Sequence, residues 1–523
     1  MATTPLPARE LSAWHDPEHA EEPDTYPALR VDPAVAAQGR VDVAVVGAGI
    51  TGLTTAVLLA REGLQVAVLE ARRIGAVASG NTTAKISVLQ GTRAATLDHR
   101  HSHDTVDAYL AAHRAGFDWL LDRARRADCD LERRAAVTFA TDGRSSAAAE
   151  TVRREAAVLR RAGFPAQLGT EVGLPFEVSE AVTLADQAQF DPMPYLADLA
   201  QELHESGHLV YEHTRVRSVS LLGAPRLRTE HGDVRAERVV LATGVPILDR
   251  GLYFARVEPN RSYAQAVRVD GPLPPAMYLS ADQPGVSLRT AVIEGEERLL
   301  TGGFGHRVGA STPTSSHEQD LADWATQRFP VREITHRWSA QDYLPEDGLP
   351  FVGPMPWQSR ILVATGFAKW GMTGGTAAGL ALRDHVVGRA NPWSGALRAD
   401  RAPVASALPA LAKANGQVGR YLATGWARPH LPSDTPLAEG EGRIETTTRG
   451  KVARCRVAGV EHELGAVCPH LGGIVAWNDA AQSWDCPLHG SRFAPDGSIL
   501  EGPVTAPMAD APGLARVVAP RSP

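Results

Sequence analysis

The sequence is poor in cysteine and has no concentration of charge of one sign. Its 523 residues include four cysteines, Cys129, Cys455, Cys468 and Cys486. They are too few and too unevenly spaced for a disulfide scaffold. The formal net charge is -7 and no block of like charges occurs, which gives no support to nucleic-acid binding or to an electrostatic membrane anchor. Small or neutral partners remain open.

Long apolar runs are also scarce. The stretch from Val43 to Ala60 is long enough to mimic a membrane span, but its glycines and threonines occupy turn and helix-packing positions. We therefore predict a buried strand, turn and helix there, and no membrane span. Residues 1–40 lack the basic start and apolar run of a secretory signal. They are predicted to form an N-terminal arm lying on the first domain of a cytoplasmic protein.

Length and periodicity predict several domains. A chain of 523 residues with 44% hydrophobic residues exceeds a single core. Residues 41–389 alternate helical stretches with short β-rich runs near 216, 239, 264, 299 and 361, which predicts an α/β domain with an inserted substrate-facing sheet. Residues 390–430 are predicted to be a linker, helical at Ala405 to Ala414. Residues 431–523 are predicted to form a small all-β domain.

The predicted helices of the α/β domain include Asp107 to Arg126 and Ala147 to Ala162. Three histidines, His101, His103 and His113, fall in or beside the first of them, in a region that looks exposed. We predict that all three lie on the surface.

A glycine-rich turn follows the first apolar strand. Gly47-Ala-Gly49-Ile50-Thr51-Gly52 supplies the pattern G-x-G-x-x-G between a strand and a helix, where glycines allow a tight turn and a close approach to a pyrophosphate. Glu70 stands at the end of the next strand, placed to accept hydrogen bonds from a ribose diol. The complete run predicts a Rossmann-like βαβ unit that binds a dinucleotide, and a unit packed for stability alone is the alternative.

Two later segments bear on which dinucleotide is bound. Residues 238–246 form a strand that ends in the small-residue turn Ala242-Thr243-Gly244, and residues 361–376 form a strand, a turn and a helix start. With these segments, residues 40–385 resemble the D-amino-acid oxidase superfamily, also called the glycine and sarcosine oxidase type. The resemblance implies FAD, with an inserted antiparallel sheet over the substrate.

A narrower likeness is to the bacterial branch of that superfamily that carries a C-terminal Rieske domain. It rests on Asn81 to Ser87, Arg337 to Tyr343, Asp347 to Pro350 and Lys369 to Met372. The likeness implies that residues 82–87 run past the flavin, while the alternative is that Thr82, Thr83 and Ser87 cap a helix. The full set of FAD-binding candidates is Gly47, Gly49, Ile50, Thr51, Gly52, Glu70, Ala71, Arg72, Thr82, Thr83, Ala84, Val216, Ala242, Thr243, Gly244, Gly366, Trp370, Gly371, Met372 and Thr373.

The C-terminal region holds a second motif pair. Cys468-Pro-His470 and Cys486-Pro-Leu-His489 are separated by fifteen residues. C-x-H and C-x-x-H resemble the two ligand loops of a Rieske [2Fe-2S] cluster, in which two thiolates hold one iron and two imidazoles the other. A structural zinc site with two cysteines and two histidines is the alternative.

The motifs depart from the pattern of high-potential Rieske proteins. Gly473 and Leu488 stand where that pattern has a clamping cysteine pair, and Phe493 replaces a tyrosine, while Ser491 is retained. Fewer hydrogen bonds to the cluster favour its oxidised form, so the reduction potential is predicted to fall below that of the respiratory proteins. Cys129 and Cys455 have no partner motif and are predicted to be buried thiols.

The two motifs together predict a dehydrogenase. A flavin joined to a one-electron carrier has an electron exit other than oxygen, and the resemblance implies hydride transfer from a carbon next to nitrogen. Catalytic candidates are His306, Arg337, Tyr343 and Lys369, with Arg337 as a partner for a substrate carboxylate. Their alternatives are a loop histidine, a structural ion pair and packing around the flavin.

Two other functions remain open at this level. The chain could be an electron-transfer partner of an oxygenase, which would call for a nicotinamide site, but the sequence has no second G-x-G-x-x-G. It could also be a sensor, or a tailoring flavoenzyme that catalyses desaturation or N-oxidation. The predicted partners are a small amine or amino-acid substrate and an external electron acceptor or donor.

Overall fold

The computed structural model describes residues 12–15, 40–143, 146–310, 313–433, 435–448 and 450–510. The predicted N-terminal arm lies outside the described residues except for residues 12–15 and 40. Within the described ranges, no helix combines the length and the apolar character needed to cross a membrane.

The first sheet is built on a parallel core. Its central order is β16-β17-β10-β1-β2-β7, with β8 and β9 attached to β10 as an antiparallel extension. The strands are Val41–Val46 (β1), Val66–Leu69 (β2), Leu209–Tyr211 (β7), Val216–Val219 (β8), Arg226–Thr229 (β9), Gly232–Leu241 (β10), Phe351–Met355 (β16) and Gln358–Thr365 (β17). Strand β1 pairs in parallel with β2 and β10, and its four residues 43–46 are fully or nearly fully buried. This is the predicted Rossmann-like arrangement.

Helices cover this sheet and connect it to the rest of the domain. The α-helices among the described residues are Ile50–Arg61 (α1), Arg93–Asp98 (α2), His103–Ala124 (α3), Ala147–Arg161 (α4), Pro192–Glu205 (α5), Tyr253–Arg256 (α6), Ser315–Arg328 (α7), Gly371–Val387 (α8) and Leu408–Ala427 (α9). Helices α1 and α8 pack closely because both carry small residues at the contact: a Cβ on Gly379 would lie 2.9 Å from Thr54 Cγ2.

The second sheet is the inserted one and is mainly antiparallel. Its order is β15-β11-β14-β13-β12-β4-β6-β3, with β5 paired to β6. The strands are Lys85–Ile86 (β3), Glu132–Ala140 (β4), Gln167–Gly169 (β5), Glu180–Gln189 (β6), Val257–Val269 (β11), Met277–Ser280 (β12), Val286–Ile293 (β13), Glu296–Arg307 (β14) and Val331–Pro345 (β15). Its strands come from both halves of the domain, so the two sheets are interleaved along the chain.

The C-terminal region is all-β, as predicted. A three-stranded sheet contains Gly442–Thr447 (β18), Gly450–Val457 (β19) and Val460–Gly465 (β20), and a four-stranded sheet contains Ala476–Asn478 (β21), Ser483–Asp485 (β22), Arg492–Phe493 (β23) and Ile499–Glu501 (β24). Trp484, Phe493 and Cys455 are fully buried in the hydrophobic core of this region. The prediction of buried thiols for Cys129 and Cys455 is confirmed.

Two sequence-based expectations need correction. The segment 390–430 contains the helix α9 over Leu408–Ala427, far longer than the predicted helical stretch of ten residues. The prediction that His113 lies on the surface is wrong: it is 2% exposed, because α3 turns that side toward α8. His101 is half-buried, and its Nε2 lies 2.8 Å from the carbonyl oxygen of Asp347. His103 is exposed as expected.

Candidate active site and cluster site

A cavity of about 450 Å³ lies between the carboxyl ends of the parallel strands and the inserted sheet. The turns after β1, β2 and β10 form one side, and residues from β11, β14 and β15 form the other. Ligands of open α/β sheets bind at this edge of the parallel strands. The position of the cavity therefore matches the predicted dinucleotide site.

The glycine-rich turn fits a closely approaching ligand. Gly47 has a φ of +102°, and a Cβ there would lie 2.5 Å from the carbonyl oxygen of Ala242. A Cβ on Gly49 would lie 2.9 Å from Ser79 Oγ. The strand and helix thus bring the backbone to the cavity surface, and residues 49–51 present the N-terminus of α1 to an anionic group.

Glu70 is held by the backbone. Its two carboxylate oxygens accept hydrogen bonds from the N–H groups of Ala48 and Arg72, each at 2.8 Å. Burial raises the pKa of Glu70, while the two backbone donors and two nearby arginines oppose that rise. The side chain lines the cavity, where it is placed to meet a polar group of the ligand.

Most predicted FAD contacts line the cavity. Those that do are Gly47, Gly49, Ile50, Thr51, Glu70, Ala71, Arg72, Thr82, Thr83, Val216, Ala242, Thr243, Gly244, Gly366, Trp370, Gly371 and Met372. Gly52, Ala84 and Thr373 lie behind this surface. Gly52 packs against the turn, since a Cβ there would lie 1.9 Å from the carbonyl oxygen of Gly47. The segment after residue 81 passes the cavity as a loop and the strand β3, and it does not cap a helix.

A buried polar network supports the N-terminus of α8. Thr373 Oγ1 lies 2.8 Å from His113 Nδ1, and the same nitrogen lies 2.7 Å from Gln90 Nε2. Tyr109 donates to Gln90 Oε1 at 2.5 Å. Burial lowers the pKa of His113 to about 3, so the imidazole is neutral and its role is to position α8.

The structure separates the four catalytic candidates into two pairs. Tyr343 and Lys369 line the cavity. His306 lies behind Tyr263, with Nε2 at 3.0 Å from the Tyr263 hydroxyl. Arg337 forms an ion pair with Glu318 at 3.6 Å beside a separate small pocket. Neither His306 nor Arg337 belongs to the lining of the large cavity, because both side chains contact α7, where His306 stacks on His317 and Arg337 pairs with Glu318.

Of the ionisable cavity residues that the sequence reasoning missed, Asp342 and Lys85 bear on the chemistry. Asp342 lines the cavity, and burial raises its pKa to about 6. Lys85 also lines the cavity although it is nearly completely buried. Lys85 lies within the segment Asn81 to Ser87, but its local sequence gives no sign that the side chain reaches the cavity.

The predicted cluster ligands come together at one end of the C-terminal domain. The Cys486 thiol hydrogen-bonds to Cys468, and this bond lowers the pKa of Cys468. The imidazole rings of His470 and His489 lie 5.1 Å apart between centroids. Burial lowers the pKa of His489 to about 3, and its Nδ1 is buried with no hydrogen-bond partner among the described residues. Metal binding requires thiolate and neutral imidazole, so the donor set fits a cluster held by a cysteine pair and a histidine pair.

Both ligand loops are closed by backbone hydrogen bonds. Cys468 N donates to the carbonyl of Gly473 and Cys486 N donates to the carbonyl of Ser491, each at 2.8 Å. Gly472 and Gly490 have φ values of +73° and +78°, and glycine adopts this conformation without strain. The pattern of glycine turns in the sequence therefore reflects the shape of the two loops.

The histidine edges of the cluster site face the flavin domain. His470 Nε2 lies 2.7 Å from Asp249 Oδ1, and the ring of Phe254 packs against both imidazoles, at 5.6 Å from His470 and 4.8 Å from His489. Asp249 and Phe254 belong to the segment between β10 and β11. The side chain of His470 is left 8% exposed.

The C-terminal domain also forms part of the cavity wall. Residues Leu500, Glu501, Gly502, Val504 and Thr505 line the cavity. Gln341, in the cavity, donates from Nε2 to the carbonyl of Gly490 at 2.9 Å and to the Tyr343 hydroxyl at 2.8 Å. One side chain thus connects the cavity to the loop that carries His489.

A buried ionic network supports the same contact. Glu501 Oε1 lies 2.7 Å from Arg492 Nη1 and 3.5 Å from Arg261 Nη1. Arg492 Nε also donates to Asp485 at 3.0 Å, next to the ligand Cys486. These charges are paired and buried, which fixes the strand β24 against the inserted sheet.

Comparison with known proteins decides the family. A family model described as FAD dependent oxidoreductase (DAO) matches residues 42–385, and a model for the Rieske [2Fe-2S] domain matches residues 439–514. The chain belongs to the DAO family of FAD-dependent oxidoreductases. It is such an enzyme with a C-terminal Rieske domain, and its cofactors are FAD and a Rieske [2Fe-2S] cluster.

A relative shares both parts of this DAO-family chain. YhfW of Bacillus subtilis, named as a Rieske 2Fe-2S iron-sulfur protein, is 30% identical over 502 residues, which cover 93% of this chain and 97% of YhfW. Among solved structures, glycine oxidase from Geobacillus kaustophilus aligns with a TM-score of 0.57 at 23% identity, covering 67% of this chain and 96% of the oxidase. L-proline dehydrogenase from P. horikoshii aligns with a TM-score of 0.57 at 19% identity, covering 67% and 95%. These two similarities show the fold.

Proposed function

We propose that the protein is a dehydrogenase that oxidises the C–N bond of a small amine or amino acid and passes the electrons to its own Rieske cluster. The observation that carries the proposal is the contact between the cavity and the cluster loop, made by Gln341 and the carbonyl of Gly490 at 2.9 Å. Residues of both domains line this cavity, which supports an electron path between them. The structural neighbours, a glycine oxidase and an L-proline dehydrogenase, support an amine or amino-acid substrate.

FAD supplies a hydride acceptor when bound, and the cluster supplies a one-electron carrier. In the chain itself, Glu70 and the turn at Gly47–Gly49 would hold the nucleotide half, and the N-terminus of α8 would face the flavin ring. The backbone N–H groups there are placed to meet negative charge. Cys468, Cys486, His470 and His489 would hold the cluster.

Tyr343 closes the cavity beside the C-terminal domain. Its hydroxyl accepts from Gln341 and lies 3.4 Å from the carbonyl of Gly502, and its ring lies 3.2 Å from a Cβ placed on Gly244. Burial strongly raises the pKa of Tyr343, so the phenol stays protonated at physiological pH. Tyr343 therefore acts as a packing and hydrogen-bonding residue that excludes water.

Contacts of the flavin domain with His470 and His489 support electron exchange within the chain. Asp249 and Phe254 occupy the side from which His470 and His489 would meet another molecule. A carrier bound elsewhere would have to use another face of the domain. This arrangement favours the flavin domain as the direct electron partner of the cluster.

Anaerobic mixing with a panel of amines, amino acids and NAD(P)H tests the proposal. We expect an amine or amino acid to bleach the flavin absorbance and to produce the paramagnetic resonance signal of the reduced cluster afterwards. Bleaching by NAD(P)H alone would favour the role of electron-transfer partner for an oxygenase. Bleaching by substrate with no cluster signal would overturn the electron path. Cell fractionation tests the predicted cytoplasmic location.

A further inference from the structure

Lys85 brings an amine into the cavity with hydroxyl groups as its hydrogen-bond partners. Its Nζ lies 3.2 Å from Thr83 Oγ1 and within a short hydrogen bond of Ser287 Oγ. The residue lines the cavity and is 9% exposed. Strand β3 fixes its backbone by pairing Lys85 with Gln189 of β6. Neither hydroxyl partner carries a charge that would neutralise an ammonium group.

The charged neighbour that acts on Lys85 has the same sign. Arg289 on β13 is 3% exposed and donates from Nη1 to the carbonyls of Thr83, Ala84 and Phe190 at 2.9 to 3.1 Å. The charges of Glu132, Asp191 and Arg134 interact in turn with the Arg289 guanidinium. Burial and the charge of Arg289 hold the pKa of Lys85 well below its ordinary value. Across the cavity lie Asp342 and Lys369.

The choice of lysine at this position is unusual for this chain. Of 53 lysine and arginine residues, four are lysines: Lys85, Lys369, Lys413 and Lys451. A guanidinium stays protonated in proteins, whereas a buried lysine amine readily loses its proton. Two N–H bonds of a neutral amine satisfy Thr83 and Ser287, which leaves the lone pair as a proton acceptor.

We propose that Lys85 is the general base that takes the proton from the ammonium group of the substrate. This inference rests on the proposed function, since it assigns a role in the same cavity. The substrate then enters the cavity as a protonated amine. Arg337, the basic residue expected to face the substrate, lies outside the cavity lining, whereas Lys85 belongs to it and has two hydroxyl groups as hydrogen-bond partners.

The proton step balances without a further reactant. The N–H bond of the substrate ammonium breaks, a new N–H bond forms on Lys85 Nζ, and the positive charge moves to the lysine. The substrate then has the neutral nitrogen whose lone pair assists loss of a hydride from the adjacent carbon. After product release, the proton passes from Lys85 to water in the cavity.

Competitive labelling of the holoenzyme tests the ionisation of Lys85 without any substrate. Formaldehyde with cyanoborohydride methylates neutral amines, and peptide mapping follows the four lysines separately. We expect labelling of N-acetyl-lysine amide, added as a reference amine, to rise steeply between pH 7 and 10 and labelling of Lys85 to stay nearly constant. A Lys85 profile parallel to that of the reference amine, or no labelling of Lys85, would overturn the proposal, because a base that the substrate reaches must be neutral and reachable.

Flavin reduction by a compound from the anaerobic panel tests the role. We expect Lys85→Met to slow reduction 10²- to 10⁴-fold at pH 7 and much less at a pH where the free amine is already neutral. Lys85→Arg should be equally slow, and Lys413→Arg should match the native enzyme. Recovery by Lys85→Arg would instead assign Lys85 a role in binding an anion.

The failures of the two proposals are distinguishable. A panel in which no amine or amino acid bleaches the flavin overturns the proposed function, whatever the labelling profile shows. If a substrate reduces the flavin of Lys85→Met at the native rate, the proposal of a general base is overturned and the proposed function is not. Flavin content, measured for each variant by the visible spectrum after purification, shows whether the cavity has folded.

Discussion

Glu70 connects backbone structure to cofactor binding at the scale of a single residue. Its carboxylate accepts from Ala48 and Arg72, so the turn after β1 and the turn after β2 are joined through one side chain. The residue also lines the cavity. Removing the side chain therefore affects both the shape of the turn and the ligand contact.

We expect Glu70→Ala to weaken FAD binding by roughly 10- to 150-fold, equivalent to about 1.5 to 3 kcal/mol for a charge-assisted hydrogen bond. Titration of the apo form with FAD, followed by flavin fluorescence, measures the change. Glu62→Ala is the matched control, since Glu62 pairs with Arg389 on the surface. Equal FAD affinity in Glu70→Ala and in the native protein would contradict the assignment of the motif.

Single residues also show where sequence reasoning stops. Cys468, His470, Cys486 and His489 were recognisable because their spacing within each loop is local. Lys85 was not, because its environment is made by Ser287 and Arg289, two hundred residues later in the chain. The burial of His113 likewise depends on Thr373, which no local pattern connects to it.

Short elements at the edges of the flavin domain hold its central segments in place. Residues 12–15 lie against the loop before β3: Trp14 Nε1 donates to the carbonyl of Thr82 at 2.6 Å, and Ser12 Oγ donates to that of Gly80 at 2.8 Å. Arg289 lies 5.2 Å from the Trp14 ring. This part of the predicted arm therefore supports the segment that lines the cavity.

Trp14→Ala should lower the stability of the flavin domain by about 3 to 5 kcal/mol, as expected for truncating a buried tryptophan. It should also speed the loss of FAD, because the loop at Thr82 loses its support. Thermal unfolding followed by flavin fluorescence measures both effects. Trp357→Ala removes a tryptophan that is 90% exposed and should leave the unfolding temperature nearly unchanged.

Helix α2 depends on a buried acid from α4. Glu155 accepts from the N–H groups of Ala94 and Ala95 at 3.2 and 2.7 Å, and burial raises its pKa to about 8. Between the unfolded pKa of 4.5 and the folded value, the folded state keeps a proton that the unfolded state has lost. The stability contributed by the protonated acid is therefore complete below pH 4.5 and lost as the pH rises to about 8.

Glu155→Gln should flatten this dependence. We expect the native protein to lose up to about 5 kcal/mol between pH 4.5 and 8 from this group, and the variant to lose little. Urea unfolding at pH 5 and pH 9, with both proteins loaded with FAD, provides the measurement. A native protein that is as stable at pH 9 as at pH 5, relative to the variant, would show that Glu155 is ionised when folded.

Regular elements were largely predictable, and their exceptions have physical causes. The βαβ unit follows from apolar strands and the glycines of one continuous segment. Helix α9, by contrast, has no buried residue, and glycines at 416, 419 and 425 lower the helix propensity of the part beyond the predicted stretch. The inserted sheet was predictable as a class, but its order joins strands from distant parts of the chain and depends on tertiary pairing.

The whole molecule places the two predicted redox sites on separate stretches of chain that meet at one interface. Gln341, Tyr343 and Arg261 contribute to it from the flavin domain. The predicted cluster ligands all lie beyond residue 467, and the FAD-binding candidates all lie before residue 374. Damage to the cluster should thus leave the flavin site intact.

We expect His489→Ala to lose the paramagnetic resonance signal of the cluster while retaining FAD. Substrate should still reduce the flavin in a single anaerobic turnover, but steady-state turnover with a one-electron acceptor should fall strongly. His462→Ala, in β20 of the same domain, serves as the control and should keep both activities. Unchanged steady-state turnover in His489→Ala would mean that the cluster is not the electron exit.

The cavity wall formed by Leu500 to Thr505 has a consequence for biosynthesis. These residues follow every other residue of the cavity wall in the chain, the last of which before them is Met372, so the ribosome adds them after the rest of the wall. Before the C-terminal domain has folded, the cavity of the flavin domain lacks this part of its wall and is more open to solvent than in the complete structure. We therefore expect FAD to enter during or soon after synthesis, ahead of cluster insertion, and to exchange slowly once the last strand is seated.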